Sequence, residues 1–135
     1  MMAAMGVPSW TAEEAAALGG AVELEIAVRR PDGGLRAWTP IWVASVDGQV
    51  YVRSWYRRES GWFGAAVGSR RARVRVPGLE AEVTVEDVGD SDAGLRADVD
   101  AAYRAGYGAG AASMVTAEAA ATTLRLVPHP VDGAA

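Results

Sequence analysis

The stretches RARVRV (71–76) and LEAEVTVEDV (79–88) alternate apolar with charged or polar residues, and only Pro77-Gly78 separates them. Alternation with period two gives a strand one apolar and one polar face, and a two-residue link sends the chain straight back. The pair is therefore an antiparallel hairpin. A hairpin with one apolar face is not stable alone; it needs further strands or a helix against that face. The rest of the chain offers them. AVELEIAVRR (21–30) sets Val22, Leu24, Ile26 and Val28 against Glu23, Glu25, Ala27 and Arg29, which is a half-buried strand. Pro31-Asp32-Gly33-Gly34 is a turn, so a second strand over 35–46 returns antiparallel. Asp47-Gly48 links it tightly to a third at 49–54, and AATTLRLV (120–127) reads as the last of six.

Helical segments are few. Thr11 and Glu14 fit a capping box that opens a helix over 11–19, stopped by Gly19-Gly20. Residues 61–67 read as a helical turn or two. Asp98 fits an N-cap for a helix with Val99, Ala102, Tyr103 and Gly106 on one face, and GYGAG (106–110) reads as that helix's stop. Two or three helices of this size cannot cover an open six-stranded sheet. Closing the sheet on itself buries one face and removes its edges. The expected fold is α+β, a small six-stranded antiparallel barrel with two or three short flanking helices. Without a repeat or linker, the chain reads as a single domain over 1–135, with its core at roughly 21–128 and a flexible tail at 129–135.

Composition limits the chemistry. Half of the residues are hydrophobic, yet no apolar run approaches the ~20 residues that cross a bilayer. The first ten residues have neither a basic start nor a long apolar stretch, and there is no cysteine, so a cytoplasmic location is expected. There is no lysine, which excludes Schiff-base chemistry. The only histidine, His129, lies between two prolines, which argues against a Ser–His–Asp triad or a histidine-based zinc site; no metal is expected. The net charge of −4 hides an asymmetry, for residues 51–77 carry seven arginines against Glu59 alone. Arg73 and Arg75 are expected to pair with Glu80, Glu82 or Glu86 across the hairpin. The acidic remainder argues against a nucleic-acid partner.

The candidate site is YVRSWYRRESGWF (51–63), with five of the chain's ten aromatic residues. Val50 and Val52 should face inward, leaving Tyr51, Arg53 and Trp55 outside the barrel, an arrangement that suits a partner subunit or a planar ligand. Arg57 and Arg58 follow, and Trp62 and Phe63 open the next helix. Arginines and serines (Ser54, Ser60) beside a helix N-terminus suit an anion. Trp62 and Phe63 equally suit core anchors, and Arg57 and Arg58 a solvated loop. Trp38 and Trp42 fall on one face around Pro40 and suit a cavity mouth or the core. Tyr103 and Tyr107, one helical turn apart, are the catalytic candidates as proton donors, or else packing residues.

The runs WTPIWV (38–43), DGQVYVRS (47–54), GWFGAA (61–66) and RVRV (73–76) resemble the split-barrel flavin-binding superfamily. They are most similar to its deazaflavin-dependent nitroreductase branch and to an uncharacterised bacterial family allied to that barrel. Asp100-Ala101-Ala102-Tyr103-Arg104-Ala105-Gly106-Tyr107 and the closing residues 123–128 (TLRLVP) carry the closer likeness, with Gly106 where that family tends to have lysine. The resemblance spans roughly 21–128. It implies a six-stranded split barrel, a homodimer, and a small-molecule ligand at the subunit boundary. It implies FMN or a deazaflavin held by Arg53, Ser54, Trp55, Arg57, Arg58 and Trp62, beside a substrate pocket formed by Trp38, Trp42 and Tyr51. The expected activity is an oxidoreductase acting on a small, mostly apolar substrate. The alternative is a cofactor-free barrel that binds or isomerises an apolar metabolite.

Overall fold

The computed structural model describes residues 9–54, 61–89 and 93–129. In chain order the elements are α1 (Ala12–Gly19), β1 (Leu24–Val28), β2 (Thr39–Ile41), β3 (Val43–Val46), β4 (Gln49–Val52), α2 (Gly61–Ser69), β5 (Arg71–Val76), β6 (Leu79–Asp87) and α3 (Ala93–Tyr107). A 3₁₀ helix (Gly108–Met114), α4 (Ala117–Ala120) and β7 (Leu124–Pro128) follow. The strands form one antiparallel sheet in the order β2-β1-β5-β6-β7-β4-β3. Its two edges, β2 and β3, are parted in sequence only by Trp42. The ends of the sheet are thus two halves of one extended segment, and the sheet curls into a nearly closed split barrel.

Counting β2 and β3 as one segment gives the six strands expected. The segment is shorter than 35–46, because Leu35 makes only an isolated bridge to Arg29 and Pro40 has no N–H for a continued ladder. At Asp47-Gly48 both residues have positive φ, 51° and 78°, as the two-residue hairpin requires. Two boundaries differ from expectation. The helix assigned to Asp98 begins at Ala93, so Asp98 does not cap it; Leu95, Arg96 and Ala97 are good helix formers and extend it backward. The last strand begins at Leu124, because the alanines before it form α4. Thr116 caps α4 by accepting from Ala119 N at 3.0 Å, and the hydroxyls of Thr122 and Thr123 donate to the carbonyls of Ala119 and Ala120 at 2.6 Å each.

The alternation seen in sequence becomes the core. Leu24, Ile26, Val28, Val50, Val52, Val74, Val83, Val85, Leu124 and Leu126 pack inside the barrel with Leu18 of α1 and Phe63 of α2. One side chain next to α1 anchors it as well: Trp10 is buried and its Nε1 donates to Leu126 O at 2.8 Å. The capping box is present, with Thr11 Oγ1 accepting from Glu14 N (3.1 Å) and Glu14 Oε1 from Thr11 N (2.9 Å). Thr11→Ala removes one of the two and should cost about 1 kcal/mol of stability, read from the denaturant midpoint; an unmoved midpoint would show that α1 is held by Trp10 and Leu18 alone.

A second, smaller core lies outside the barrel. There Ala44 and Tyr51 meet Val99 and Tyr103 of α3 and Ala111 and Met114 of the 3₁₀ helix. On the opposite outer face Arg73 pairs with Glu80 and Glu82, as the hairpin register predicts. Arg75 turns the other way, to Glu25 of β1 at 2.7 Å.

Candidate functional site

The barrel opens where the segment crosses from β2 to β3, and two tyrosines of α3 hold that opening. Trp42 lies outside both strands, so its backbone groups need other partners. Tyr103 Oη donates to Trp42 O (3.1 Å); Tyr107 Oη accepts from Val43 N (3.1 Å) and donates to Val22 O (2.9 Å). The Trp42 ring stacks on Tyr107, with centroids 4.1 Å apart and planes 3° from parallel. Burial raises the pKa of both hydroxyls, that of Tyr103 most, so each stays a protonated donor in neutral solution. The catalytic candidates of the sequence thus serve as clamps on backbone groups in this structure.

Beside Trp42 is a cleft of about 810 Å³. Thr39 and Ile41 of β2, Trp42, Ser54, Trp62 of α2 and Met114 form its walls, with Glu23 and Ser113 at its margins. Trp62 is half-buried and meets Phe63 edge to face at 5.8 Å. The helix-start reading therefore divides: Phe63 anchors the core, and Trp62 is also a cleft wall. Trp42 joins them, but two other residues assigned to a pocket do not. Trp38 lies under the guanidinium of Arg75, 3.9 Å from its ring centroid. Tyr51 is buried in the outer core, where its hydroxyl accepts from Arg125 Nε at 3.4 Å.

Arg53 lines the cleft, yet its side chain is 0% exposed. Its Nη1 donates to Asp100 Oδ1 (2.6 Å) and Met114 O (2.7 Å), and its Nε to Thr123 Oγ1 (2.8 Å). The guanidinium also lies over Tyr103 at 5.6 Å, and Nη2 has no hydrogen-bond partner among the described residues. Tyr51 and Arg53 do point out of the barrel as expected. The chain's own α3 and 3₁₀ helix cover them, so they need neither a partner subunit nor a ligand to leave water. Trp55, Arg57 and Arg58 lie outside the described residues.

A second hollow, of about 720 Å³, was not foreseen. Arg29, Arg30, Arg36 and Arg71 surround it, and Gly64 and Gly68 of α2 form its floor. Arg29 gives Nε and Nη2 to Glu82 (2.9 and 2.8 Å) and Nη1 to Gly33 O (2.7 Å). Arg71 reaches Glu82 at 3.4 Å, while its buried Nε has no partner among the described residues. Arg30 and Arg36 have no carboxylate partner among the described residues. The hydrogen bond from Arg29 holds the Glu82 carboxyl below its ordinary pKa, so these charges persist into mildly acid solution. The signal in sequence was Arg29-Arg30 and Arg36 bracketing one turn. These three arginines lie outside the basic segment at 51–77, so sequence alone does not tie them to it.

The two hollows are neighbours along α2. A smaller one between them shares Arg36 and Ala65 with the arginine groove, and Thr39, Gly61 and Trp62 with the aromatic cleft. The three hollows follow one another along α2 as a trough that is aromatic at one end and cationic at the other. Among the described residues no cluster of histidine, cysteine, aspartate or glutamate is placed to hold a metal, and no helix is long and apolar enough to cross a membrane.

Known proteins place this architecture. A conserved hypothetical protein from Mycobacterium tuberculosis shares the fold with a TM-score of 0.65 and 17% identity, over 92% of this chain and 83% of that one. A FAD-binding protein from Mesorhizobium loti has a TM-score of 0.55 and 15% identity, over 92% and 94% of the two chains. A protein described as an F420 reductase has a TM-score of 0.46 and 13% identity over 86% and 91%, too low a score to establish a common fold. No curated protein matches the sequence. The bacterial family described as "Uncharacterized protein conserved in bacteria (DUF2255)" matches over residues 14–126, and this split-barrel chain belongs to it.

Proposed function

We propose that the trough holds a phosphorylated planar cofactor of the flavin or deazaflavin kind, and that the protein is an oxidoreductase acting on a small, mostly apolar substrate. The adjacency of an aromatic cleft and an arginine groove along α2 carries this reading. A flavin-type cofactor needs stacking surface and phosphate donors at opposite ends, and Trp42 and Trp62 stand at one end with Arg30, Arg36 and Arg71 at the other. The partly exposed guanidinium of Arg71 and the open space over Gly61 and Gly68 of α2 fit such an occupant. The FAD-binding protein that shares the fold supports the same chemistry.

The phosphate is reassigned from Arg53 to the groove, since a side chain with no exposure cannot meet a ligand without leaving its ion pair. Arg53 instead braces the cleft wall at Met114. Ser54 and Trp62 remain cofactor contacts, and Arg57 and Arg58 remain candidates from sequence alone. The bound cofactor would supply the redox chemistry. The chain's part is to bind it, orient its ring against Trp42 and Trp62, and keep water from one face. A homodimer belongs to the same proposal, and the mass in solution checks it.

Titration with FMN, a phosphorylated 5-deazaflavin and riboflavin tests the reading through quenching of tryptophan fluorescence. FMN or the deazaflavin should quench saturably and riboflavin should bind more weakly. Arg36→Ala should loosen the phosphorylated ligand about tenfold, the worth of one charge-assisted contact. If neither phosphorylated ligand quenches, the cofactor reading is lost. The cleft, which lies within the size range of small-molecule pockets, then favours a cofactor-free barrel acting on an apolar metabolite.

A further inference from the structure

Glu82 lies on the outer face of β6, outside the trough, yet three arginines converge on its carboxylate. It accepts both Nε and Nη2 of Arg29, which directly follows β1, and from β5 Nη2 of Arg71 at 3.4 Å and Nη1 of Arg73 at 3.5 Å. Its side chain is only 9% exposed, so these contacts are poorly screened. Arg29 and Arg71 are groove residues; Arg73 is not. Arg29 also carries the constraint onward, because its Nη1 holds Gly33 O at 2.7 Å. The turn it holds is closed by Arg30 N on Gly34 O (2.8 Å) and Gly33 N on Arg30 O (2.9 Å), and it lies between Arg30 and Arg36, the two groove cations without a carboxylate partner among the described residues.

We infer that Glu82 is a positioning residue for the anion end of the trough, fixing Arg29, Arg71 and the turn between Arg30 and Arg36 in the geometry that receives phosphate. The inference rests on the reading of the groove as a phosphate site. It makes a prediction whose sign is opposite to that of simple electrostatics. Removing a carboxylate near an anion site raises the local positive potential, and by field alone every anion should then bind more tightly. If Glu82 acts by holding the arginines in place, its removal should weaken binding although the groove has become more positive.

The test is calorimetric titration of the intact chain with FMN and with inorganic pyrophosphate, comparing wild type with Glu82→Gln, Glu82→Asp, Arg73→Ala and Arg36→Ala. Glu82→Gln should weaken both ligands about tenfold, the size typical of outer partners that orient ligating groups. Riboflavin, without phosphate, should bind it as it binds wild type. Arg73→Ala also breaks a contact to Glu82 but lies outside the groove, and should leave FMN affinity unchanged. Glu82→Asp keeps the charge and withdraws it by one methylene, so a loss there shows placement at work even if Glu82→Gln fails to fold. Equal or tighter FMN binding by the folded Glu82 variants, with Arg36→Ala weakened, overturns the positioning role and leaves the phosphate site standing. If wild type binds neither FMN nor pyrophosphate, the site and the role of Glu82 fall together.

Discussion

Asp100→Ala is expected to lower stability by roughly 3 kcal/mol, the low end for breaking a buried ion pair from one side. The cause is what it leaves behind. The Arg53 side chain has no exposure and would keep its charge with Met114 O and Thr123 Oγ1 as its hydrogen-bond acceptors among the described residues. Those two hydrogen bonds remain, which is why the low end applies. In a chain of 135 residues such a loss should appear as a fall of about 10 °C in melting temperature. The double replacement Arg53→Met with Asp100→Leu should recover most of it, since apolar residues in place of both charges leave nothing unpaired. A melting temperature unmoved by Asp100→Ala would mean that Arg53 is solvated or paired elsewhere, and the bracing role assigned to it would be withdrawn.

Arg53 also shows where reading the sequence ends. The alternation of Val50 and Val52 with Tyr51 and Arg53 correctly turns the latter pair out of the barrel, because side-chain direction in a strand is local geometry. What covers the outer face is not local. Val99 and Tyr103 reach it from a helix more than forty residues on, and nothing near residue 53 announces them. The same limit explains the divided second strand. Trp42 leaves the ladder because two hydroxyls about sixty residues away, on Tyr103 and Tyr107, take the backbone groups around it. By contrast the hairpin of β5 and β6, the capping box at Thr11 and the pairing of Arg73 with Glu80 and Glu82 were legible, each being written in one short local stretch of chain. The aromatic cleft was half legible, through Trp42, Ser54 and Trp62. The arginine groove was not, since β1, its turn, α2 and β5 must converge before Arg29, Arg30, Arg36 and Arg71 surround one space.

Gly68→Leu should abolish most of the binding while making the protein slightly more stable. Gly68 lies in α2 on the floor of the groove, and a Cβ built there meets no atom within 4 Å. A side chain can therefore leave the backbone there without a clash at its Cβ, and replacing a helical glycine should add about 0.5 kcal/mol near a helix end. The larger side chain would occupy space among the groove arginines, where the phosphate of a cofactor must lie. We expect its affinity to fall roughly a hundredfold, or about 2.7 kcal/mol. The opposed signs make the result interpretable, because partial unfolding lowers stability and binding together and cannot raise one while removing the other. Gly106→Leu supplies the comparison: it too sits in a helix, α3, with nothing within 4 Å of its Cβ, but does not line the trough. It should gain similar stability and bind FMN as wild type does. Should Gly68→Leu bind as tightly as wild type, the ligand does not lie along α2. The aromatic cleft would then hold it alone, and FMN and riboflavin should prove indistinguishable to the native protein.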